Sequence, residues 1–205
     1  MYAVKTPRFI QRLFPDFLWR FPKEEKVIYL TFDDGPIPEV TPWVLETLKQ
    51  FNAKATFFCV GDNVRKHPEI FNQLIVEGHR IGNHTFRHLD GWKTRKAIYL
   101  EDVKRCANVL DSNIFRPPYG HLKLNQIKKL RAHYQIVLWD ILSGDFDPSL
   151  SKEQCLRNVL HHGKEGSIVV FHDSLKAEEK LRYVLTRVLE YYQGSGFRFE
   201  RIEEG

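Results

Sequence analysis

The chain predicts an α/β protein built on a parallel sheet, and three observations carry that prediction. Short runs of strand formers alternate with helix-period segments over the whole length. The runs are apolar on both faces, the habit of strands in parallel sheets. Polar side chains able to do chemistry recur where the runs stop, at Asp33-Asp34, His84, Arg116, Asp145 and His172. In such folds the working residues come from the carboxyl ends of several strands. The alternation alone leaves open whether the sheet is flat or closes into a barrel.

Residues 1–26 predict an extension packed on the domain. Phe9, Ile10, Leu13, Phe14, Phe17 and Trp19 make it apolar, but Arg12, Pro15 and Asp16 interrupt it, which makes a poor signal peptide. A membrane-surface anchor is the second reading. The domain itself is expected over residues 27–205, beginning with the strand Val27 to Phe32, which stops at two acids and the turn residues Gly35-Pro36. A helix follows over 38–51, with Thr41-Pro42 as cap and first turn. Ala55 to Val60 reads as a strand ended by Gly61, and Pro68 to Glu77 as a helix stopped by Gly78. Arg80 to His84 is a short strand, and residues 96–110 make a helix. Asn113 to Pro118 is extended, because residues before proline are pushed out of the helical region. A helix over 125–132, a buried strand over 134–139 and a helix over 151–161 capped by Ser151 come next. Ser167 to Phe171 is a strand, 178–192 a helix, and a last short strand lies around Phe197 and Phe199.

At 205 residues, 42% hydrophobic and 28% charged, the composition is that of one globular domain with a single core. A net charge of +5 spread along the chain argues against a nucleic-acid partner. Cys59, Cys106 and Cys155 are scattered and odd in number, which excludes a disulfide framework and a thiolate metal site; Cys59 reads as core. No apolar run reaches the ~18 residues of a membrane span. The expected state is a monomer, cytoplasmic or peripheral to a membrane rather than exported.

Two adjacent carboxylates push their pKa values apart unless a cation intervenes, so one can bind a metal while its neighbour stays a base. His84 and His88 lie four apart, a spacing that on one helical turn puts both imidazoles on one face. Two histidines and one carboxylate leave open positions, the pattern of a catalytic metal site.

Four stretches, in this order, carry a family resemblance: Thr31-Phe-Asp-Asp-Gly-Pro36, His84-Thr-Phe-Arg-His88, Arg116-Pro-Pro-Tyr-Gly120 and Val169-Val-Phe-His172. They resemble the polysaccharide deacetylases, the NodB-homology domains of carbohydrate esterase family 4, and the likeness runs from about Val27 to about Phe199. The resemblance implies a distorted (β/α) barrel with about seven parallel strands and hydrolysis of N-acetyl groups on a peptidoglycan- or chitin-type glycan. It implies Asp33 as base, Asp34, His84 and His88 as ligands of one divalent metal ion, and Arg116 holding the base. Tyr119 then offers its backbone N–H to the oxyanion, and His172 is the general acid. Zinc leads among the metals, and cobalt, nickel and iron also suit N/O ligands.

The sequence departs from the family at Leu142-Ser-Gly-Asp145-Phe146. Asp145 is the acid expected to orient His172, with Asp140 as the other carboxylate in range. Leu142 stands where a carboxylate is usual, and Phe146 where the aromatic wall is a tryptophan. Trp92, Tyr119 and Phe146 are the rings available to stack on sugar, and Trp139 is expected in the core. Two competing readings are an amidase of the same chemistry acting on a small amide, and a relative that binds glycan without turnover.

Overall fold

The computed structural model describes residues 3–23 and 25–203. Its sheet has seven parallel strands curled into a half-barrel, in the order β5-β4-β3-β2-β1-β7-β6. These are β1 (Val27–Asp33), β2 (Ala55–Cys59), β3 (Arg80–Asn83), β4 (Ile114–Phe115), β5 (Gln135–Ile136), β6 (Ile141–Leu142) and β7 (Ser167–His172). An eighth strand, β8 (Arg198–Phe199), pairs with the first two residues of β1. The helices are α1 (Arg8–Leu13), α2 (Thr41–Gln50), α3 (Gly61–Lys66), α4 (Pro68–Val76), α5 (Lys96–Ala107), α6 (Leu124–Leu130), α7 (Lys152–His162) and α8 (Glu178–Gly194).

β1 lies inside the sheet, paired with β2 on one side and β7 on the other, and buries one face in the core. Ile28, Leu30 and Phe32 are fully buried in the main core. The Phe32 ring stacks between Phe57 of β2 at 4.9 Å and Phe171 of β7 at 5.9 Å, so three neighbouring strands share one aromatic row. Burying such a side chain contributes roughly 1.5–3 kcal/mol. α8 lays Leu181, Val184, Leu185, Val188, Leu189 and Tyr192 against that core at three- and four-residue spacing. Ser151 caps α7 through a reciprocal pair: its hydroxyl accepts from the Gln154 N–H, and its own N–H donates to the Gln154 side chain.

The outer strands β5 and β6 are two residues each, and an unpaired strand edge needs a partner. The N-terminal segment supplies it on both sides. Leu18 N donates to Ile136 O and Leu138 N to Leu18 O, while Thr6 N donates to Asp140 O and Leu142 N to Val4 O.

Four local expectations change. Thr41 is the first helical residue, not the cap; its hydroxyl accepts from the Ile37 N–H and donates to Asp173 instead. β2 stops before Gly61 as expected, but Gly61 also opens a short helix, α3, that was not expected. The strand expected over 134–139 is regular only at Gln135–Ile136, because Val137 and Leu138 turn to the N-terminal segment. β6, too short to show a sequence period, was not expected at all.

Candidate active site

β1 and β7 run in register to their last residues, so Asp33 and His172 sit side by side at the carboxyl edge of the sheet. Each is gripped by a buried partner. The Arg116 side chain is fully buried and donates to Asp33 Oδ1 at 2.8 Å, to the Thr31 hydroxyl at 2.7 Å, and to the carbonyls of Val137 and Leu138 at 3.3 and 3.0 Å. Its guanidinium lies 4.0 Å above the Phe58 ring. With four of the five guanidinium donors engaged, Asp33 is held with one carboxylate oxygen engaged.

The Asp145 carboxylate is fully buried and takes His172 at two points, accepting the backbone N–H at 2.8 Å and meeting Nδ1 at 2.9 Å. Burial alone would lower the His172 pKa. The charge and hydrogen bond of Asp145, with Asp34 and Asp33 behind, outweigh it and raise the imidazole to about 9. Phe146 packs edge-on against the His172 ring at 4.9 Å. Asp140 takes no part: it is buried at the start of β6 and accepts from the Ser167 hydroxyl at 2.8 Å.

Asp34, His84 and His88 bring three ligand atoms within 4.8 Å of one another. Asp34 Oδ1 is 3.1 Å from His88 Nε2 and 4.0 Å from His84 Nε2, yet it is buried with no hydrogen bond of its own. A buried carboxylate oxygen left without a donor costs free energy, and a cation there removes that cost. His84 Nδ1 lies 2.7 Å from the Arg116 carbonyl, an acceptor only, so Nδ1 carries the proton and Nε2 presents its lone pair towards Asp34. Burial pushes the His84 pKa down to about 4, which keeps that imidazole neutral. Burial works to raise the Asp34 carboxyl, but the close approach of His88 and the positive charges of His172, His88 and Lys176 hold it well below the usual range. The donor set fits a divalent metal with N/O ligands.

The spacing of the two histidines works differently from the expected helical turn. Residues 84–88 form a loop, with Thr85 at φ 62° and His88 at φ 55°. Asp34 (φ 86°) and Tyr119 (φ 61°) are also left-handed, so four of the five non-glycine residues with positive φ among those described belong to this site. Each such residue costs of order 1–3 kcal/mol unless its surroundings impose it. Asp102 of α5 imposes it on the histidine loop: one oxygen accepts the N–H groups of Phe86 and Arg87 at 2.9 Å each, and the other accepts from the Arg87 guanidinium. Asn83 Oδ1 accepts from Thr85 N, fixing the turn out of β3.

Sequence reasoning missed Asp102, Lys176 and Asp173. Lys176 reaches Asp34 Oδ2 at 3.1 Å from the loop after β7. Asp173 is fully buried and accepts from Gly35 N at 3.0 Å and from the Thr41 hydroxyl at 2.6 Å, tying the Asp33-Asp34 turn to β7. A Cβ on Gly35 would fall 2.0 Å from the Asp173 carboxylate, so only glycine fits there. Burial, with Asp34 nearby, raises the Asp173 carboxyl to about 8 against the hydrogen bonds from Thr41 and Gly35. Its position beside His172 was the one available signal.

Tyr119 is exposed on a single helical turn, Pro118–Gly120, where the first N–H groups have no acceptor within the turn. Its ring meets His88 edge-on at 4.8 Å. Trp92, also exposed, stacks flat on His121 at 3.6 Å. Trp139 packs against a core cluster with Phe58 and Val137 as expected, but it is only half-buried and also lines a groove of about 400 Å³ with Trp92, Tyr119 and Leu142. A larger hollow, of about 820 Å³, lies elsewhere, between the N-terminal segment and α6, and holds none of these groups.

Comparison with known proteins decides the family. A model described as polysaccharide deacetylase matches residues 21–135. The chain belongs to the polysaccharide deacetylase family. Among its relatives is a peptidoglycan-N-acetylglucosamine deacetylase of Bacillus cereus, 35% identical over 202 residues that cover 91% of each protein. A chitooligosaccharide deacetylase of Azorhizobium caulinodans is 33% identical over 78% of this chain and 80% of its own. The crystal structure of the Bc1960 peptidoglycan N-acetylglucosamine deacetylase, complexed with an aryl N-hydroxybenzamide, superposes with a TM-score of 0.88 at 31% identity, covering 96% of this chain and 95% of that one. The deacetylase family thus accounts for the half-barrel.

Proposed function

We propose that this polysaccharide deacetylase is a metal-dependent hydrolase that removes N-acetyl groups from a peptidoglycan- or chitin-type glycan. The observation that carries the reading is the register of Asp33 and His172, a held carboxylate and a held imidazole side by side, next to the Asp34-His84-His88 triad. The names of the relatives, peptidoglycan and chitooligosaccharide deacetylases, support the substrate class.

Amide hydrolysis needs an activated water, a stabilised oxyanion and a proton for the leaving nitrogen. A divalent ion held by Asp34, His84 and His88 would polarise the acetyl carbonyl and acidify a water. Arg116 engages Asp33 Oδ1, which leaves Oδ2 to take the proton of the attacking water. The Tyr119 N–H supplies a backbone donor to the oxyanion. His172 meets Asp145 through Nδ1, so its Nε2–H is the proton delivered to the amine. At about 9 its pKa keeps that proton in place at neutral pH. Trp92, Tyr119 and Phe146 are rings that a sugar face can stack on.

The test is acetate release from N-acetylglucosamine oligomers, peptidoglycan fragments and small N-acetyl amides under one metal condition. The reading expects the glycans to exceed the small amides in kcat/KM by at least tenfold. Equal or faster turnover of the small amides would favour the amidase reading, and no acetate from any substrate would favour binding without turnover.

A further inference from the structure

The end of the sheet opposite the site carries a second cluster of charge. Lys5, Arg8, Arg20, Lys23 and Lys164 line one small enclosed notch of about 60 Å³, together with Thr6, Gln11 and a single carboxylate, Asp140. Arg8, Arg20 and Lys23 also line the adjoining open hollow, where Arg12 joins them. None of these six cations has an ion pair among the described residues. Arg20 is fixed by donating to the Glu165 carbonyl at 2.8 Å, which holds its guanidinium at the notch. Asp140 does not neutralise the cluster, since one carboxylate faces five cations and is itself committed to the Ser167 hydroxyl. A volume near 60 Å³ is about two waters' share of the liquid, room for one phosphate group.

A second observation says what carries that phosphate. Phe9 and Leu13, 65% and 68% exposed, stand four residues apart on α1, next to Arg8 and Arg12 on the same short helix. Large apolar side chains projecting into water from a ring of cations are the composition of a segment that enters the interface of an anionic bilayer. A soluble phosphate metabolite gives no reason for them. The notch lies where β6 and β7 begin, by the Lys5–Ile141 and Arg20–Ser167 bridges, whereas Asp33 and His172 stand where β1 and β7 end. Docking by this end leaves the catalytic edge open towards a polymer outside the bilayer.

We propose that the N-terminal segment is a membrane-surface anchor, in which Lys5, Arg8, Arg20, Lys23 and Lys164 hold the phosphate of an anionic lipid headgroup while Phe9 and Leu13 enter the acyl boundary. Binding is reversible, as expected for one short apolar wedge supported by a basic patch. The anchor does not depend on the deacetylase reading, and its test needs no substrate.

The experiment is sedimentation of the full chain with vesicles of phosphatidylcholine alone and with 30% phosphatidylglycerol, at low and high salt. Wild-type protein is expected to partition at least tenfold more to the anionic vesicles, and salt screening is expected to remove most of that gain. Two variants report separately: Arg8→Glu with Lys164→Glu removes charge from the notch, and Phe9→Ser with Leu13→Ser removes the wedge. Each pair is expected to lose at least tenfold in partition, while Lys128→Glu with Arg131→Glu, at and just after the end of α6, retains wild-type binding. The changed side chains are all exposed, Arg131 while pairing with Asp16 on the surface, and the comparison of lipids on the wild type stands even if one variant misfolds. Equal partition of the wild type to both vesicles overturns the proposal. So does unchanged binding of both the charge and the wedge variants. Saturation by inorganic phosphate with no vesicle binding would make the notch a soluble-anion site and overturn the membrane role.

Discussion

Asp145 holds His172 by both its backbone N–H and its ring Nδ1, at 2.8 and 2.9 Å, from a fully buried carboxylate. The double contact fixes ring orientation and tautomer together, which makes His172 an acid aimed by its neighbour. It also sets the pH range. His172 can donate only while protonated, that is below its pKa, which stands at about 9. Deacetylation is therefore expected to lose rate with a basic limb at or somewhat below pH 9, since a cation in the triad offsets the part that Asp34 contributes. In Asp145→Asn the opposite charge is gone, and the limb should move to lower pH by roughly 1–3 units. A pH profile of kcat/KM for the two proteins checks this.

Arg116 is spread over four acceptors, so lysine is no conservative replacement. Arg116→Lys keeps a charge but cannot span Asp33, Thr31 and the carbonyls of Val137 and Leu138 at once. The variant is expected to lose about 2–4 kcal/mol of stability, from buried acceptors left unsatisfied, and at least tenfold in kcat. Urea unfolding midpoints and steady-state kinetics on the same preparations measure both.

Asp102 touches no reacting group, yet it sets the loop that carries the two histidines. Asp102→Ala removes the acceptor of the Phe86 and Arg87 N–H groups. Metal affinity is expected to fall roughly 10–100-fold, the usual cost of losing an outer partner of a ligand. Competition with a coloured zinc chelator reads it directly, and a fall in activity that excess metal restores separates loosened ligands from unfolding.

Asp173 gives a stability signature. Its carboxyl is raised in the folded protein to about 8, so the folded state binds more protons than the unfolded one between roughly pH 4 and 8. Stability of the metal-free protein should therefore fall as pH rises through that window. Asp173→Asn, with no proton to lose, should show a flatter slope. Denaturant unfolding at pH 5, 7 and 9 gives both curves.

Much of the fold was legible because β1, β2 and β7 are continuous apolar runs and α8 keeps a clean helical period. β6 and the short helix α3 were not, since two residues carry no period and a glycine reads as a stop in either direction. The site was legible where side chains cluster in sequence, as in Asp33-Asp34 and His84 with His88. It was obscure where contacts are long-range: Asp102 lies 15 residues from the Arg87 N–H it accepts, and Asp173 138 residues from that of Gly35. His84 and His88 converge for a different reason from the one their spacing suggests, through two left-handed residues held by Asp102 and Asn83 rather than through a helical turn.

The division of labour between adjacent acids is the centre of the account, and one measurement addresses it most directly. Wild type, Asp33→Asn and Asp34→Asn are stripped of metal, titrated with zinc, and assayed for acetate released from an N-acetylglucosamine oligomer at each point. The account predicts that wild type gains activity in step with one bound ion. Asp33→Asn should bind that ion as tightly but turn over about 10²–10⁴-fold more slowly, and Asp34→Asn should bind it weakly. Full activity of stripped wild-type protein, or loss of the ion from Asp33→Asn with retention in Asp34→Asn, would contradict it.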